Sequence, residues 1–244
     1  LFPPSWRMMI CIPSSITEVE KRAVRDSAEQ AGAKEVYLIH EPMAAALGIG
    51  IDVEEPVGNM IIDIGGGTTG ITVIALAGIV CDQSIRIAGD EFTADIMEAL
   101  RRYHSLLIGE RTSEQIKIQV GAAMKDIDNP PDDFAVNGRD LVTGIPKQIM
   151  VSYQEIAEAL DKSIFKIEEA ILKALEQTPP ELAADIYRRG LYITGGGALL
   201  RGLDKRLSQK IKLPVHVADD PLKSVVRGTG IALKNYDRYP FVMR

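Results

Sequence analysis

The stretch DIGGGTTGITVIALAG, residues 63–78, places a carboxylate near the end of an apolar run, with only Ile64 between it and three glycines. Glycine lacks a Cβ and tolerates positive φ, so the N–H groups of such a turn can approach a ligand closely and form a nest for an anion. A second turn of this kind, Gly195–Gly197, follows another apolar run and leads into a predicted helix, whose N-terminus favours negative charge. Tight turns can require glycine for structural reasons alone, but two of them, each ending a predicted strand, favour a phosphate ligand.

Two common phosphate-binding motifs do not fit this pattern. The chain has no G-x-x-x-x-G-K-[ST] sequence, which excludes a P-loop. Gly65, Gly67 and Gly70 satisfy G-x-G-x-x-G, but a dinucleotide fingerprint must open a helix. Residues 71–74 are all β-branched and predict a strand. The glycines therefore belong to a hairpin that carries a carboxylate at the end of its first strand.

Composition sets further limits on the function. The 244 residues carry a net charge of −6, which argues against nucleic acid as a partner. Cys11 and Cys81 are far apart and form no C-x-x-C pair, as expected for a protein of a reducing compartment. Residues 64–81 contain no charge, but five glycines interrupt them, so we expect strand, turn and strand rather than a membrane helix.

The order of predicted elements is typical of an α/β protein. The chain opens with strand, helix, strand and helix, followed by three strands around the first glycine turn. A long helix is predicted over Tyr153–Gln177. Capping boxes are predicted for Thr17 with Glu20 and for Thr112 with Gln115, and Ala77-Gly78 is the expected connection after the strand 70–76.

Seven segments together carry a family resemblance. They are EPMAAALG (41–48), DIGGGTTG (63–70), SIRIAGDEF (84–92), IGERTSEQIKIQVG (108–121), TPPELAADI (178–186), TGGGALLRGLD (194–204) and DPLKSVVRGTG (220–230). With these motifs the chain resembles the actin-like ATPase superfamily and, within it, the MreB family of bacterial rod-shape proteins. The resemblance implies an α/β fold of the ribonuclease-H-like actin type, with two α/β domains around a nucleotide cleft.

The resemblance also implies a site for ATP and Mg²⁺. Asp63 would hold the magnesium ion, which suits a single carboxylate combined with phosphate oxygens, and Glu41 would orient the attacking water. The residues expected to bind the nucleotide are Gly65, Gly66, Gly67 and Thr68 at the phosphates, Glu114, Gln115, Ile116 and Lys117 at the nucleoside, and Gly195, Gly196, Gly197 and Ala198 near the adenine. Apart from the resemblance, Glu41 could simply favour the helix dipole, Glu114 with Lys117 could be an exposed i,i+3 pair, and Asp63 could be a turn former.

The chain departs from the family pattern at two points. The first phosphate hairpin of the family is absent, so we expect an N-terminally truncated chain that binds nucleotide weakly and is inactive on its own. Gly70 stands where an acidic residue is common. The expected domains are an incomplete one, residues 1–57 with 222–244, and a second one, residues 58–220, with a small subdomain near 101–149.

The predicted function is that of a slow ATPase that polymerises into filaments. The resemblance implies a cytoplasmic protein, peripheral at the inner membrane, that assembles with copies of itself and with the cell-wall elongation machinery to direct cell shape. Leu1 and Phe2, before Pro3-Pro4, are the predicted membrane contact. The alternatives are a chaperone-type or sugar-kinase ATPase of the same fold, and a non-catalytic fragment that only self-associates.

Overall fold

The computed structural model describes residues 6–244, so Leu1 and Phe2 lie outside the described residues. The helices are α1 (Glu18–Gln30), α2 (Glu41–Ile49), α3 (Gly89–His104), α4 (Glu110–Val120), α5 (Tyr153–Gln177), α6 (Pro180–Arg189), α7 (Leu203–Ile211) and α8 (Ser224–Lys234). The strands are β1 (Trp6–Ile12), β2 (Ala33–His40), β3 (Asn59–Ile64), β4 (Thr69–Ala75), β5 (Gly78–Ile85), β6 (Leu106–Leu107), β7 (Phe134–Asp140), β8 (Pro146–Val151), β9 (Leu191–Thr194) and β10 (Val215–Val217). Short 3-10 turns cover Gly196–Leu199 and Pro221–Lys223.

The largest sheet has the strand order β10-β9-β3-β4-β5. β9 runs parallel to β10 and to β3, whereas β3, β4 and β5 form an antiparallel meander. The uncharged stretch 64–81 is therefore the predicted succession of strand, turn and strand. None of the helices within residues 6–244 has the length and apolar character needed to cross a bilayer.

The central strand β3 is buried on both faces, which explains its continuous apolar sequence. Met60, Ile62 and Ile64 pack into a core that also takes in the buried side of α5. Ile61 points to the opposite face, where it packs with α2. The end of β3 is thus held rigidly between two apolar layers.

A smaller layer is built from residues that come before and after this sheet in the chain. β1 and β2 form a parallel pair that packs against α1, and Leu38 of β2 exchanges backbone hydrogen bonds with Met243 near the C-terminus. A residue of β2 and a residue near the C-terminus thus lie together, while the predicted domain plan stays a prediction. Because Ile61 and Ile74 of the large sheet share the core of α2, the boundary at residue 57 itself stays a prediction.

A third sheet, β6-β7-β8, lies within the region of turns and short strands expected for a small subdomain. Val136 and Val151 bury its inner face against the main core. The sheet spans residues 106–151, and the outer boundaries assigned from sequence stay a prediction.

Of three local predictions, the capping box at Thr17 is confirmed, whereas the capping box at Thr112 and the position of the β4–β5 turn were wrong. Thr17 accepts a hydrogen bond from the backbone N–H of Glu20, whose carboxylate accepts one from the N–H of Thr17, so the capping box is present. Thr112 lies inside α4, which begins at Glu110 after Gly109, because the N–H of Ser113 already donates to the carbonyl of Gly109. The β4–β5 turn is Leu76-Ala77, one residue earlier than expected.

Leu76 and Ala77 hold positive φ of 50° and 57°, an unusual conformation for residues with a Cβ. The loop before β3 compensates for this strain. The N–H of Leu76 donates to the carbonyl of Glu55 and that of Ala77 to the carbonyl of Val53. These tertiary hydrogen bonds therefore place the turn at Leu76-Ala77, whereas Gly78 in the sequence had indicated a turn at Ala77-Gly78.

The two helices α2 and α8 cross with their backbones in contact. A Cβ on Gly228 would lie 1.7 Å from the carbonyl oxygen of Ala44, and one on Gly48 would lie 1.8 Å from that of Ser224. No side chain fits at this crossing, so glycine is required on both helices.

We expect Gly228→Ala to destabilise the protein by at least about 2 kcal/mol, because the backbone contact cannot relax by a rotamer change. Gly230 on the same helix is the matched control, since a Cβ there meets nothing within 4 Å. Gly230→Ala should stabilise the protein by about 0.5–1 kcal/mol through helix propensity. Urea unfolding measures both changes, and equal effects of the two substitutions would contradict the close crossing.

Candidate functional site

Asp63 lies at the point where two strands of the large sheet end side by side. In the register of the sheet it faces Gly70 of β4 on one side and Thr194 of β9 on the other. The chain leaves β3 through Gly65–Gly67 and leaves β9 through Gly195–Gly197. The two glycine turns found in the sequence are therefore neighbours in space.

The second turn packs directly on the first strand. Gly195 has φ +80°, and a Cβ there would lie 2.4 Å from Oδ1 of Asp63. A Cβ on Gly197 would lie 2.2 Å from Cγ2 of Ile64. Both positions require glycine because the turn approaches Asp63 and Ile64 closely. The glycines therefore have a structural role as well as a place at the site.

The first turn is held from two directions. The N–H of Gly65 donates to the carbonyl of Thr68 and closes the turn. The carbonyls of Gly65 and Gly66 accept from the N–H groups of Gly89 and Asp90, at the start of α3. Within residues 6–244 the N–H groups of Gly66 and Gly67 donate to no other backbone group. An anion-binding nest at these N–H groups, as expected from the sequence, stays a prediction.

Lys117 connects α4 to the start of α3. Its Nζ donates to the carbonyl of Gly89 at 2.8 Å and to Oγ1 of Thr93 at 3.1 Å, and it forms an ion pair with Glu114 at 2.6 Å. The hydroxyl of Thr93 also lies 2.9 Å from the carboxylate of Glu114. The i,i+3 pair of the sequence is thus a partly buried network that locks α4 onto α3, and not a solvated surface pair.

A cavity of about 600 Å³ opens between these elements. Eight predicted site residues line it: Asp63, Gly65, Gly66, Glu114, Lys117, Gly195, Gly196 and Gly197. This volume lies in the range of small-molecule sites, which is about 300–1,000 Å³. The structure therefore brings the two glycine turns and the α4 pair, which are distant from one another in sequence, around one space.

Six predicted residues lie at or beyond the edge of this cavity. Gly67 and Thr68 are exposed in the first turn, Gln115 is exposed on α4, and the side chains of Ile116 and Ala198 are buried in the core. Glu41 is the first residue of α2 and is half-buried. Their roles stay predictions.

Sequence reasoning missed several residues of the cavity wall. These are Gly89, Asp90 and Phe92 at the start of α3, Ile118 on α4, Leu199 and Leu200 after the second turn, and Pro221, Leu222 and Val225 before and in α8. Gly89-Asp90 carried a usable signal, because a glycine and an acidic residue open a helix separated by three residues from the end of β5. The apolar residues carried none, since single leucines and isoleucines look like core.

The carboxylates of Asp63 and Glu41 influence each other. Burial, and after it the negative charge of Glu41, raises the pKa of Asp63 to about 6 from an ordinary value of 3.8. Burial also raises the pKa of Glu41. In the described part of the chain neither carboxylate forms a hydrogen bond or an ion pair. Burial of such carboxylates without a partner costs free energy, and they would gain most from a bound cation or an ordered water.

The residues present fit a nucleotide phosphate bound together with a divalent cation. The unpaired N–H groups of the first turn suit phosphate oxygens, while Asp63 and Asp90 would repel a phosphate unless a cation lay between. Mg²⁺ is usually held by one or two carboxylates together with phosphate oxygens and water. Among residues 6–244 no group of three or more His, Cys, Asp or Glu side chains gathers into a metal site, so the cation would depend on the phosphate for its remaining ligands.

Asp63→Asn should make the protein more stable above pH 6, measured without Mg²⁺ and nucleotide. The folded pKa of Asp63 is raised, so the native state gains stability from protonation below about pH 4 and loses it as the pH rises through about 6. Asparagine avoids this loss, and the gain in unfolding free energy at pH 7.5 should be about 1–3 kcal/mol. Urea unfolding at pH 4 and pH 7.5 measures it.

Asp132→Asn, at an exposed carboxylate, is the control and should change stability little at either pH. If the wild type and Asp63→Asn lost stability in parallel between the two pH values, burial of a charged Asp63 would not be the cause.

A family model described as MreB/Mbl protein matches residues 2–240. The chain is 48% identical over 234 residues to the cell shape-determining protein Mbl of Bacillus subtilis, covering 96% of this chain and 70% of that protein. It is also 48% identical over 239 residues to the cell shape-determining protein MreB of Escherichia coli K12, covering 97% of this chain and 67% of that protein.

Solved structures give the same result for the fold. MreB5 of Spiroplasma citri, crystallised with AMPPNP, superposes with a TM-score of 0.91 at 40% identity, covering 94% of this chain and 68% of that one. A MamK double helical filament matches with a TM-score of 0.77 at 23% identity, covering 97% of this chain and 70% of that one, which supports the fold alone. The actin-like α/β fold class predicted from the sequence is confirmed.

Proposed function

The chain belongs to the MreB/Mbl family, and on that premise we propose that it is a cytoskeletal protein that binds ATP with Mg²⁺ and polymerises into filaments that direct cell shape and cell-wall synthesis. The observation that carries this proposal is the cavity between the two glycine turns, with Asp63 at its floor. The AMPPNP bound to the Spiroplasma relative supports the choice of nucleotide. Membership of this family sets the chain apart from chaperone-type and sugar-kinase ATPases.

The first glycine turn would bind the phosphates through its N–H groups, and Asp63 would orient the hydrated cation. When bound, Mg²⁺ neutralises the charge that develops on the phosphate oxygens. The second turn, packed against Asp63, excludes water from that side. A cation beside Asp63 would lower the raised pKa of its carboxyl group, so that binding below about pH 6 would be accompanied by release of a proton.

Glu41 would orient the attacking water and accept a proton from it. Burial raises its pKa, which makes the carboxylate a better proton acceptor than an exposed glutamate. Its position at the start of α2 fixes the side chain on a rigid element, because α2 is locked to α8 by the glycine crossing. Hydrolysis is expected to be slow, and the prediction that the 244-residue chain alone is inactive is tested by its phosphate release.

We expect filaments in negative-stain electron micrographs, with Mg²⁺ and ATP, of a protein in which the first phosphate hairpin of the family precedes this chain, and the substitutions below are made in that protein. Asp63→Ala should abolish both the filaments and Mg²⁺-dependent phosphate release, because it removes the side chain that holds the cation. Glu41→Gln should leave ATP affinity unchanged within about two-fold but slow single-turnover hydrolysis by about 100-fold, since it acts on the transition state.

Glu98→Gln is the matched control for Glu41→Gln, because Glu98 is exposed on α3 and lies outside the cavity. A Glu41→Gln variant that lost affinity and kept its single-turnover rate would assign Glu41 to binding. Absence of filaments and of calorimetric ATP binding in the wild type would remove the proposed function.

We further propose that the filament lies at the cytoplasmic face of the inner membrane, beside the cell-wall elongation machinery. The predicted contact, Leu1 with Phe2, precedes the strand β1. Burying a leucine or phenylalanine is worth about 1.5–3 kcal/mol each, so a single copy of this pair would bind only weakly. A filament repeats the pair along its length and would bind by avidity.

Polymerised protein should therefore sediment with anionic lipid vesicles, and replacing Leu1 and Phe2 with serine should release it while ATP binding persists. The control replaces Val142 and Ile145 with serine, which are exposed apolar residues of the small sheet's hairpin. This pair of changes should leave sedimentation unaltered. Undiminished sedimentation of the Leu1/Phe2 variant would show that the contact lies elsewhere.

A further inference from the structure

Arg201 connects two walls of the cavity, which lie on either side of the apolar end of that cavity. One wall is α4, which contributes Ile118, and the other is the 3-10 turn after the second glycine motif, which contributes Leu199. Arg201 follows Leu199 by two residues in the chain. Its guanidinium nevertheless reaches the last turn of α4, where Nη1 donates to the carbonyl of Ile118 at 3.2 Å and to that of Gly121 at 3.3 Å.

The backbone makes the same connection. The N–H of Ala123 donates to the carbonyl of Arg201 at 2.8 Å, and Ala122 forms an isolated parallel bridge with Arg201. A Cβ on Gly121 would lie 2.1 Å from the carbonyl of Lys117 and 3.0 Å from Cδ1 of Leu200. The end of α4 is thus pressed onto the turn, and a positive charge at a helix C-terminus is favourable for the exposed carbonyls.

The side chains held by this bridge are apolar, face the cavity and are exposed. Ile118 is 61% exposed and Leu199 is 56% exposed, and Leu222, on the third side, is 67% exposed. Exposed apolar side chains around a cavity that also carries phosphate-binding amides suit a flat, apolar-faced group attached to a phosphate. The nucleobase of a nucleotide has this chemistry.

We propose that Arg201 is a positioning residue for the nucleobase, an inference that rests on the proposed nucleotide binding. By holding the carbonyl of Ile118 on one side and the backbone beside Leu199 on the other, it sets the width of the slot between these two side chains. Arg201 itself is not among the residues that line the cavity and acts through the two walls. The hydrogen bonds of the Arg201 guanidinium within the described residues go to the end of α4, and none goes to Asp63 or the first glycine turn at the phosphate end.

The test compares Mg²⁺-ATP with Mg²⁺-tripolyphosphate, which lacks base and sugar, by calorimetry on the same variants. Arg201→Met keeps the length of the side chain and removes its donors. It should weaken ATP binding by about ten-fold or more while tripolyphosphate binding stays within about two-fold. Arg201→Lys keeps a charged donor and should recover most of the ATP affinity.

Arg227→Met is the matched control. Arg227 also donates to a carbonyl at the end of a helix, that of Gly48 at 3.3 Å, but this helix is α2 and lies outside the base side of the cavity. It should leave the ratio of the two affinities as in the wild type. If Arg201 had a purely structural role, Arg201→Met would lower the affinities for ATP and tripolyphosphate together, or would lower neither. Either result would overturn the proposal.

Two further outcomes are decisive. If the wild type binds ATP and Arg201→Met binds it equally well, only the positioning role falls. If the wild type binds no ATP, the proposed function and this inference fall together. Should Arg201→Met not fold, Arg201→Gln, which keeps a neutral donor, serves in the same comparison and should show a partial loss for ATP alone.

Discussion

The pairing of β3 with β9 in parallel register is the constraint on which the site depends. Because Asp63 lies opposite Thr194, both strands end at the same edge and both glycine turns leave the sheet there. Neighbouring strands are only about 4.8 Å apart, so two turns cannot both carry side chains between them. The lack of space is seen in two distances: a Cβ on Gly195 would lie 2.4 Å from Oδ1 of Asp63, and a Cβ on Gly197 would lie 2.2 Å from Cγ2 of Ile64. What is left between the turns is bare backbone facing a carboxylate.

This arrangement costs stability at the place where function is proposed. Asp63 and Glu41 are partly buried near each other without any hydrogen bond or ion pair in the described residues, although a fold selected for stability alone would pair or remove them. The surrounding core offsets the cost, since Ile62 and Ile64 on either side of Asp63 are fully buried. Strain of this kind at one site, with regular packing around it, is typical of a binding site.

The sequence predicted those features whose cause is local. The Tyr153–Gln177 helix and the Thr17–Glu20 capping box follow from periodicity and from side-chain hydrogen bonds within one turn, and both are confirmed. The capping box at Thr112 is absent because α4 begins at Glu110, two residues before Thr112, with Gly109 at the N-cap. The cavity wall at Leu199 depends on contacts between segments distant in sequence, which no local pattern encodes. The family resemblance, and not spacing, supplied the roles of Glu41 and Asp63.

The same long-range contacts make the cavity and Glu41 parts of one rigid body. α8 begins beside the cavity at Leu222 and Val225 and then crosses α2 at Gly228, where the two backbones touch. α2 begins with Glu41. No side chain lies at the crossing that could absorb a shift by changing its rotamer, so a displacement of α8 must be followed by α2. A ligand that moved the cavity wall would therefore also move the carboxylate at the other end.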